Sequence, residues 1–351
     1  MKKIGFILIV LATTMVARAF DFSAEAPTGQ TLYYQITSAS TVKVVNGDSK
    51  PQGRLTIPST VQGYSVTEIG QMALSNCYQL TSVVVPGSVT TIGMRAFAGD
   101  EALTSAYLSE GVQSIGMMAF SSCTALDTLV LPSSLTAIAV GTLGNTAYIN
   151  NPDNWDNSVL YVGRYLIAAR SILEGDLIVP DTIEGIANDA FDYCHISQIT
   201  LPATLRFIGE FAFKDCPSLD TVRLNAAVPP TLGEDAFQNT PAGLTIVVPC
   251  DNLAAYQSAP RWSSLHVVGI GCPPPSGIDA AEGTALTATV VPGGILVDAP
   301  RGTLLTVSDA MGRRIAAAIA ADGETFISLP ATGIYLVTAS DGTSQKVLYF
   351  K

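Results

Sequence analysis

The residues best suited to chemistry are Cys194 and His195, which are neighbours in the chain. A cysteine thiolate activated by a histidine is a nucleophile that attacks carbonyl groups. Adjacent residues rarely have the geometry that a nucleophile and its base require, and the only other histidine, His266, lies in a predicted strand. The sequence also has no HExxH, phosphate-loop or nucleophile-elbow motif. We therefore predict a protein that is not an enzyme and has no cofactor.

A second candidate for chemistry is the Asn/Asp-rich stretch from Asn150 to Asn157. Its side-chain oxygens are the ligands that calcium prefers, but the alternation of an EF-hand loop is absent. A turn-rich loop is therefore the favoured interpretation. Zinc is disfavoured as well, because the two histidines do not cluster with the cysteines. We expect no metal site.

Aromatic residues in and around this stretch form a candidate binding patch, because aromatic side chains often anchor interfaces. The residues are Tyr148, Trp155, Tyr161 and Tyr165. The segment from Val159 to Ala168 has the pattern of a β-hairpin that turns at Gly163-Arg164. Packing of this hairpin against the rest of the protein is the favoured alternative to a binding patch.

These residues interrupt a repeating pattern that must position them. Apolar residues recur every 23 positions, and a fixed period of this length is the signature of a solenoid. Each copy is too short to bury its own apolar residues, so the copies must stack. The recurring residues include Ile69, Ile92, Ile115 and Ile138, then Leu80, Leu103 and Leu126, then Phe97 and Phe120.

The repeat has the consensus L-x-x-ϕ-x-ϕ-P-x-x-ϕ-x-x-I-x-x-x-A-F, where ϕ is apolar. It resembles the BspA-type leucine-rich repeat of bacterial surface proteins, from roughly Pro51 to Ile270. The resemblance implies a solenoid of about seven units of 22–24 residues. Each unit is a strand followed by a short helical or 3₁₀ turn, such as the one predicted for Met94–Phe97.

Stacking of the strands brings one row of outward-facing side chains into alignment. The row mixes apolar, hydroxyl and aromatic groups with few charges, which is typical of an extended contact surface for protein or glycan. The alternative is that these residues only favour the strand conformation. The predicted binding residues are Val84, Tyr107, Val130, Ile178, Thr200 and Arg223.

The cysteines fall into two groups. Cys77, Cys123, Cys194 and Cys216 share one place in the repeat, which favours buried thiols, and pairing of Cys194 with Cys216 remains open. The C-terminal cap, residues 250–271, is bracketed by Cys250 and Cys272. The family resemblance and an oxidising compartment imply a disulfide between these two.

The N-terminus has the features of a secretory signal peptide, residues 1–19, cleaved near Ala19. Two lysines precede an apolar run that is too short to span a membrane, so we expect no membrane span in the mature chain. The full chain has 18 basic and 29 acidic residues and a formal charge of -11. This balance and the absence of a basic cluster disfavour a nucleic-acid partner.

The last part of the chain, residues 278–351, is predicted to form a small all-β sandwich of seven short strands. The stretches Leu305–Arg313 and Leu329–Val337 resemble the C-terminal sorting domain of the type IX secretion system of Bacteroidetes. The resemblance implies that secretion machinery is a partner. Leu329–Gly333 also spells the sortase motif LPxTG, which we interpret as coincidental because the residues after it are too polar for an anchor.

The predicted organisation places a β-rich cap at residues 20–50 and the solenoid at residues 51–271, with the hairpin insertion at 144–175. A Pro-rich linker, residues 272–277, precedes the sandwich. The leading hypothesis is a secreted, outer-surface protein with adhesin-like binding of a host or bacterial macromolecule. The alternative is a glycan-binding accessory protein of a polysaccharide-uptake system.

Overall fold

A computed structural model describes residues 20–270, 286–309, 312–321, 324–331, 333–339 and 344–349. The chain divides after Ile270 into two compact units. The first unit is a repeat solenoid, which confirms the fold predicted from the 23-residue period. The predicted signal peptide and the Pro-rich linker lie outside the described residues.

The N-terminal segment is a three-stranded antiparallel sheet that covers the first repeat. Its strands alternate buried and partly exposed residues, and Tyr34 and Val44 are among the fully buried ones. The last of the three strands pairs in parallel with the first coil, so the cap continues one solenoid sheet. The strands are β1 (Phe22–Glu25), β2 (Thr31–Ile36) and β3 (Thr41–Val45).

The first array of coils, which ends at Leu143, has two sheets whose strands pair in parallel from coil to coil, apart from the short antiparallel pair of Thr60–Val61 with Tyr64–Ile69. One sheet consists of strands of three to six residues, and the other continues from Tyr64–Ile69 into strands of only two residues. Proline or glycine ends several of these strands, as Pro86 does after Val85 and Gly93 after Ile92. In the short-strand sheet Thr91, Ser114 and Ala137 pair in succession, so these coils keep the 23-residue period. The strands are β4 (Gly53–Thr56), β5 (Thr60–Val61), β6 (Tyr64–Ile69), β7 (Leu80–Val85), β8 (Thr91–Ile92), β9 (Ser105–Leu108), β10 (Ser114–Ile115), β11 (Thr128–Val130) and β12 (Ala137–Ile138).

The segment after each short strand differs from the predicted helical turn. In the coil of Met94–Phe97 the amide of Ala96 donates to Gly93 and that of Ala98 donates to Arg95, so consecutive β-turns replace a helix. Arg95 has a φ of 54°, whereas a right-handed helix needs a negative φ at every residue. Five other coils have two non-glycine residues with positive φ, four residues apart, in this turn segment. They are Met72 and Asn76, Met118 and Ser122, Asp189 and Tyr193, Phe211 and Asp215, and Asp235 and Asn239.

An insertion separates the first array from the second. The predicted hairpin is confirmed, because β14 and β15 pair antiparallel across Gly163-Arg164, and β15 then pairs in parallel with the second array. The elements are α1 (Ala147–Asn150), a 3₁₀ helix (Pro152–Asn154), β13 (Trp155–Asp156), β14 (Val159–Val162) and β15 (Tyr165–Ala169).

The second array repeats the two-sheet design with less regular spacing. In its short-strand sheet Gly185 pairs with Phe207, and Phe207 pairs with Thr231, so successive coils have 22 and 24 residues. The strands are β16 (Glu174–Ile178), β17 (Gly185–Ile186), β18 (His195–Leu201), β19 (Phe207–Ile208), β20 (Thr221–Leu224), β21 (Thr231–Leu232), β22 (Thr245–Pro249) and β23 (Val267–Ile270).

Stacked phenylalanines run through the core of each array. The ring centroids of Phe97 and Phe120 are 5.0 Å apart, and Phe213 lies 4.9 Å from Phe191 and 5.1 Å from Phe237. These contacts arise because the A-F position recurs in each coil.

The C-terminal cap closes the second array. Its buried aromatic residues are anchored to main-chain carbonyls: the Trp262 indole donates to Pro230, and the Tyr256 hydroxyl donates to Ala226. The cap contains 3₁₀ helices at Cys250–Asn252 and Trp262–Ser264 and the helix α2 (Leu253–Ser258). Tyr256 and Trp262 are both buried and cover the last coils of the array.

The second unit has the seven predicted strands, arranged in a three-stranded and a four-stranded antiparallel sheet. Ile295, Leu305 and Val337 belong to a common core. The strands are β24 (Thr287–Val291), β25 (Gly294–Asp298), β26 (Leu304–Asp309), β27 (Arg314–Ile319), β28 (Thr325–Ser328), β29 (Gly333–Ala339) and β30 (Ser344–Tyr349).

Candidate binding surface

The outer row of the first array consists of Val84, Tyr107 and Val130, which pair in register across β7, β9 and β11. Their neighbours in the strands point into the core, so the row itself faces solvent. Tyr107 is 44% exposed and Val130 is 46% exposed. A parallel row of hydroxyl side chains, formed by Ser82, Ser105 and Thr128, lies beside it.

The outer row of the second array consists of Ile178, Thr200 and Arg223, again in register. Beside it the side chains are joined by hydrogen bonds. The Gln198 amide donates to Asp176 at 2.8 Å, and the Arg223 guanidinium donates to the Gln198 carbonyl oxygen at 3.2 Å. This part of the surface is therefore more polar and more fixed than the first.

The six predicted binding residues do not form one continuous row. Among the described residues β11 pairs only with β9, and β16 pairs only with β18, so the long strands form two separate sheets. The hairpin insertion causes the break. Its strand β15 joins the short-strand sheet, beside β17, and the insertion adds no strand to the long-strand sheet between β11 and β16. We call the two rows together the outer ladder.

The prediction that Tyr165 belongs to an exposed aromatic patch is wrong. Tyr165 is fully buried, its hydroxyl donates to the carbonyl of Pro132 at 2.6 Å, and burial raises the pKa of its phenol to about 12. It therefore cannot contact a ligand. Its ring lies 6.0 Å from that of Phe207, where it packs the hairpin against the core.

The other three aromatic residues of the insertion are half-buried, and Tyr148 and Trp155 also have polar partners within the protein, whereas Tyr161 packs against the core of the second array. The Tyr148 hydroxyl donates to the carbonyl of Tyr161, and the Trp155 indole donates to that of Ile149. The guanidinium of Arg170 lies 4.4 Å above the Trp155 ring. These contacts favour the packing interpretation over a binding patch.

The Asn/Asp-rich stretch uses its polar side chains to hold its own backbone. The Asn151 oxygen accepts from the amide of Asp153, and the Asn154 side-chain amide donates to the carbonyl of Tyr148. Throughout the described part of the chain, no group of three or more His, Cys, Asp or Glu side chains is placed to hold a metal ion. The contacts favour the turn-rich loop.

The four repeat cysteines are free and buried, which confirms their predicted core role and excludes a Cys194–Cys216 disulfide. Burial raises the pKa of the Cys194 thiol to about 11, so the thiolate that a nucleophile needs is not formed near pH 7. His195 is exposed and lies 3.2 Å from the carbonyl of Ser171. Cys250 is disulfide-bonded, and its predicted partner, Cys272, lies outside the described residues.

Asp100, a fully buried carboxyl group, was not among the residues predicted from the sequence. It occupies the cysteine position of its coil, since it lies 23 residues after Cys77 and 23 before Cys123. One carboxylate oxygen accepts from the amide of Cys77 at 2.7 Å, and the other has no hydrogen-bond partner. Burial raises the pKa of Asp100 to about 8, so the group is largely protonated at pH 7. An acidic residue in a column of cysteines was the signal in the sequence.

A family model described as the BspA type leucine-rich repeat region matches residues 53–174 and 154–259, in six copies. The chain belongs to this BspA-type leucine-rich repeat family. No curated protein matches the sequence.

Solved leucine-rich repeat structures are similar to the chain at low identity. A protein from Bacteroides ovatus is 20% identical over 65% of this chain and 71% of its own, with a TM-score of 0.34. A protein from T. pallidum is 21% identical over 65% and 91%, with a TM-score of 0.33. A protein from Bacteroides capillosus is 29% identical over 34% and 91%, with a TM-score of 0.31. The family assignment rests on the repeat model and not on these structures.

Proposed function

We propose that this BspA-type protein is secreted to the outer cell surface, where it binds a host or bacterial macromolecule without catalysis. The outer ladder carries the proposal, because Tyr107 stands exposed between Val84 and Val130 in an aligned row. An exposed aromatic residue flanked by apolar neighbours is a favourable anchor for a partner. The partner is an extracellular protein or a glycan.

Two features of the sequence support export. The first is the signal peptide, whose cleavage near Ala19 is part of the proposal. The second is the resemblance of the C-terminal unit to a type IX sorting domain. Within the stretch of this chain that carries the resemblance, Asp309 and Arg313 form an ion pair at 2.9 Å. BspA-type proteins are typically found at the cell surface. No helix within the described ranges is long and apolar enough to cross a membrane.

Export is tested by protease shaving of intact cells, followed by mass spectrometry of the released peptides. We expect repeat peptides from the wild type and none from a strain that lacks residues 344–351. Protection of the repeats in both strains would contradict surface display.

Binding is tested with Tyr107→Ser and a matched variant, Tyr193→Ser, because Tyr193 is 57% exposed but lies away from the outer ladder. Immobilised extracellular proteins and polysaccharides serve as probes. Tyr107→Ser should weaken retention on the bound probe at least tenfold, and Tyr193→Ser should leave it unchanged. Equal effects of the two variants would contradict the proposal.

The alternative, a glycan-binding accessory protein of a polysaccharide-uptake system, is favoured by one observation. A row of hydroxyl side chains lies beside the row that contains Tyr107, and it can form hydrogen bonds with sugar hydroxyls. The row consists of Ser82, Ser105 and Thr128. Retention on polysaccharides but on no protein probe would support this alternative.

A further inference from the structure

Each array begins with a long strand of the same design. β4 and β16 both carry a glycine with positive φ, Gly53 at 66° and Gly175 at 78°, and both change register immediately after it. Both strands also stand at the edge of their sheet. The alignment makes Gln52, Arg54 and Thr56 equivalent to Glu174, Asp176 and Ile178.

The outer edge of β4 is closed by side chains of the N-terminal cap. The Gln30 amide donates to the carbonyls of Gln52 and Arg54, at 2.9 and 2.7 Å. The backbone amide of Thr56 donates to the hydroxyl of Thr28 at 3.1 Å. These two side chains satisfy the groups that a neighbouring strand would otherwise pair, so this edge is closed to a partner.

The outer edge of β16 has no such closure. The equivalent groups are the carbonyls of Glu174 and Asp176 and the amide of Ile178, and within the described residues neither a strand nor a side chain pairs with them. The amide of the following residue, Val179, donates to Thr200, so the Ile178 amide points the other way, toward the open edge.

The side chains at this edge are uncovered as well. Leu177 is half-buried, whereas its equivalent in β4, Leu55, is 1% exposed. Ile178 is 77% exposed and Ile172 is 74% exposed, the highest values among the large hydrophobic residues of the second array apart from Val228. Apolar side chains beside unpaired backbone groups are the features that an added strand would cover.

We propose that the open edge of β16 is a docking site for an extended, basic peptide segment of a partner protein, which adds to the sheet as a further strand. The unpaired carbonyls and amide alternate along the edge in the pattern that the backbone of an added strand pairs. Leu177 and Ile178 project from opposite faces of the strand, and each favours an apolar side chain beside it on its own face. The carboxylates of Glu174 and Asp176 favour lysine or arginine at the positions of the peptide that lie beside them. The charge of -11 disfavours a second copy of this chain as the partner.

The docking edge is distinct from the face of the outer ladder, and the inference stands without the function proposed for that face. A strand that adds to β16 uses backbone groups in the plane of the sheet. A ligand on the ladder uses side chains that project from it. The two interactions therefore respond to different substitutions, except at Ile178, whose side chain belongs to both.

Amide hydrogen exchange, measured by NMR on the full chain, tests the site. Without a ligand, the amide of Ile178 should exchange at least tenfold faster than that of Thr56, which is bonded to Thr28. The probe is the peptide Lys-Val-Lys-Val-Thr-Val-Lys with blocked ends, at millimolar concentration. We expect it to slow exchange of the Ile178 amide at least tenfold and to leave the Thr56 amide unchanged.

The matched controls separate backbone pairing from general attraction. A probe of the same sequence with an N-methyl group on every peptide nitrogen keeps the charge but loses the strand donors on both edges, and it should give no protection. Ile178→Pro removes the outward amide and should abolish binding of the unmodified peptide, as observed by chemical shifts. A second variant, Ile178→Lys, changes only an exposed side chain and serves if the proline variant does not fold. It should also weaken binding of the peptide.

Two variants distinguish this site from the outer ladder. Thr200→Gln, an uncharged change in the interior strand β18, and Tyr107→Ser should leave peptide binding within twofold of the wild type. Protection of Ile178 by the N-methylated peptide, or no protection by the unmodified one, would overturn the proposal. Loss of binding in Tyr107→Ser would also overturn it, because the peptide would then be bound by the ladder.

Discussion

Asp100 is the residue whose chemistry departs most from its surroundings. The stacked positions in the neighbouring coils are Cys77 and Cys123, both buried and free. A thiol fits this small apolar space without losing solvation, whereas an ionised carboxylate loses much of its interaction with water. The raised pKa is the direct result, and Lys50 is too weak a neighbour to offset the burial.

Replacing this carboxyl group should change how stability depends on pH. The folded pKa of Asp100 is about 8, above the ordinary value of 3.8, so between these values the folded protein holds a proton that the unfolded chain has lost. Stability is therefore lost as the pH rises from about 4 to 8, by on the order of 5 kcal/mol for a shift of this size. Asp100→Asn should remove this dependence and raise the free energy of unfolding at pH 8.

Urea denaturation of both proteins at pH 5 and pH 8 measures the effect. The asparagine oxygen can still accept from the Cys77 amide, so the variant tests the charge and not the hydrogen bond. The same pH dependence in the variant and the wild type would show that Asp100 is not its source.

The four repeat thiols should be unreactive in the folded protein. Burial raises the pKa of Cys77, Cys123 and Cys216 to about 12, which leaves little of the nucleophilic thiolate. At pH 8 we expect iodoacetamide to label these residues at least a hundredfold more slowly than in 6 M guanidinium. Rapid labelling of the native protein, located by mass spectrometry, would contradict the buried core position.

At the scale of the elements, the stacked phenylalanines should contribute most to the stability of the second array. Phe213 contacts rings on both sides, and Phe213→Ala should cost about 3–5 kcal/mol. Phe211→Ala is the matched control, since Phe211 lies in the same turn but is only half-buried, and it should cost less than about 1 kcal/mol. Urea midpoints measure both variants, and equal losses would show that the ring stack is not the main support.

The strands and their register followed from the sequence, but the turn segments did not. Ile92, Ile115 and Ile138 mark one buried position each, and apolar periodicity reports burial directly. The turn conformation depends on backbone angles, and Arg95 and Met118, which adopt a positive φ, are not residues that signal one. Stacking of each turn on the next, through bonds such as Phe97 N–H to Ala119, holds these angles against local preference.

At the scale of the whole molecule, the two compact units should unfold separately. Phe213 and Val337 are fully buried in different cores, so each reports on one unit. Scanning calorimetry should show two transitions, of which Phe213→Ala lowers one and Val337→Ala lowers the other. A single transition shifted by both variants would contradict independent units.

The division of the outer ladder into two sheets could not be predicted from the repeats. The sequence places Val130 and Ile178 at equivalent positions of consecutive copies, which indicates direct stacking. The structure places the hairpin strand β15 next to β17 instead, and β16 is left at an edge. An insertion does not reveal from its own residues which of the two sheets it will extend, because Tyr165 and Leu166 would suit either.

The spacing of the coils bears on how the chain avoids misfolding. Thr91, Ser114 and Ala137 stand at equal intervals, so a nascent chain that docks one coil out of step buries nearly the same side chains. Such a slipped intermediate would be a kinetic trap. The unequal intervals between Gly185, Phe207 and Thr231 remove this degeneracy, because a slipped coil there leaves residues without a match. The coils of the second array can thus dock in only one register, and this fixed register limits slippage of the regular first array.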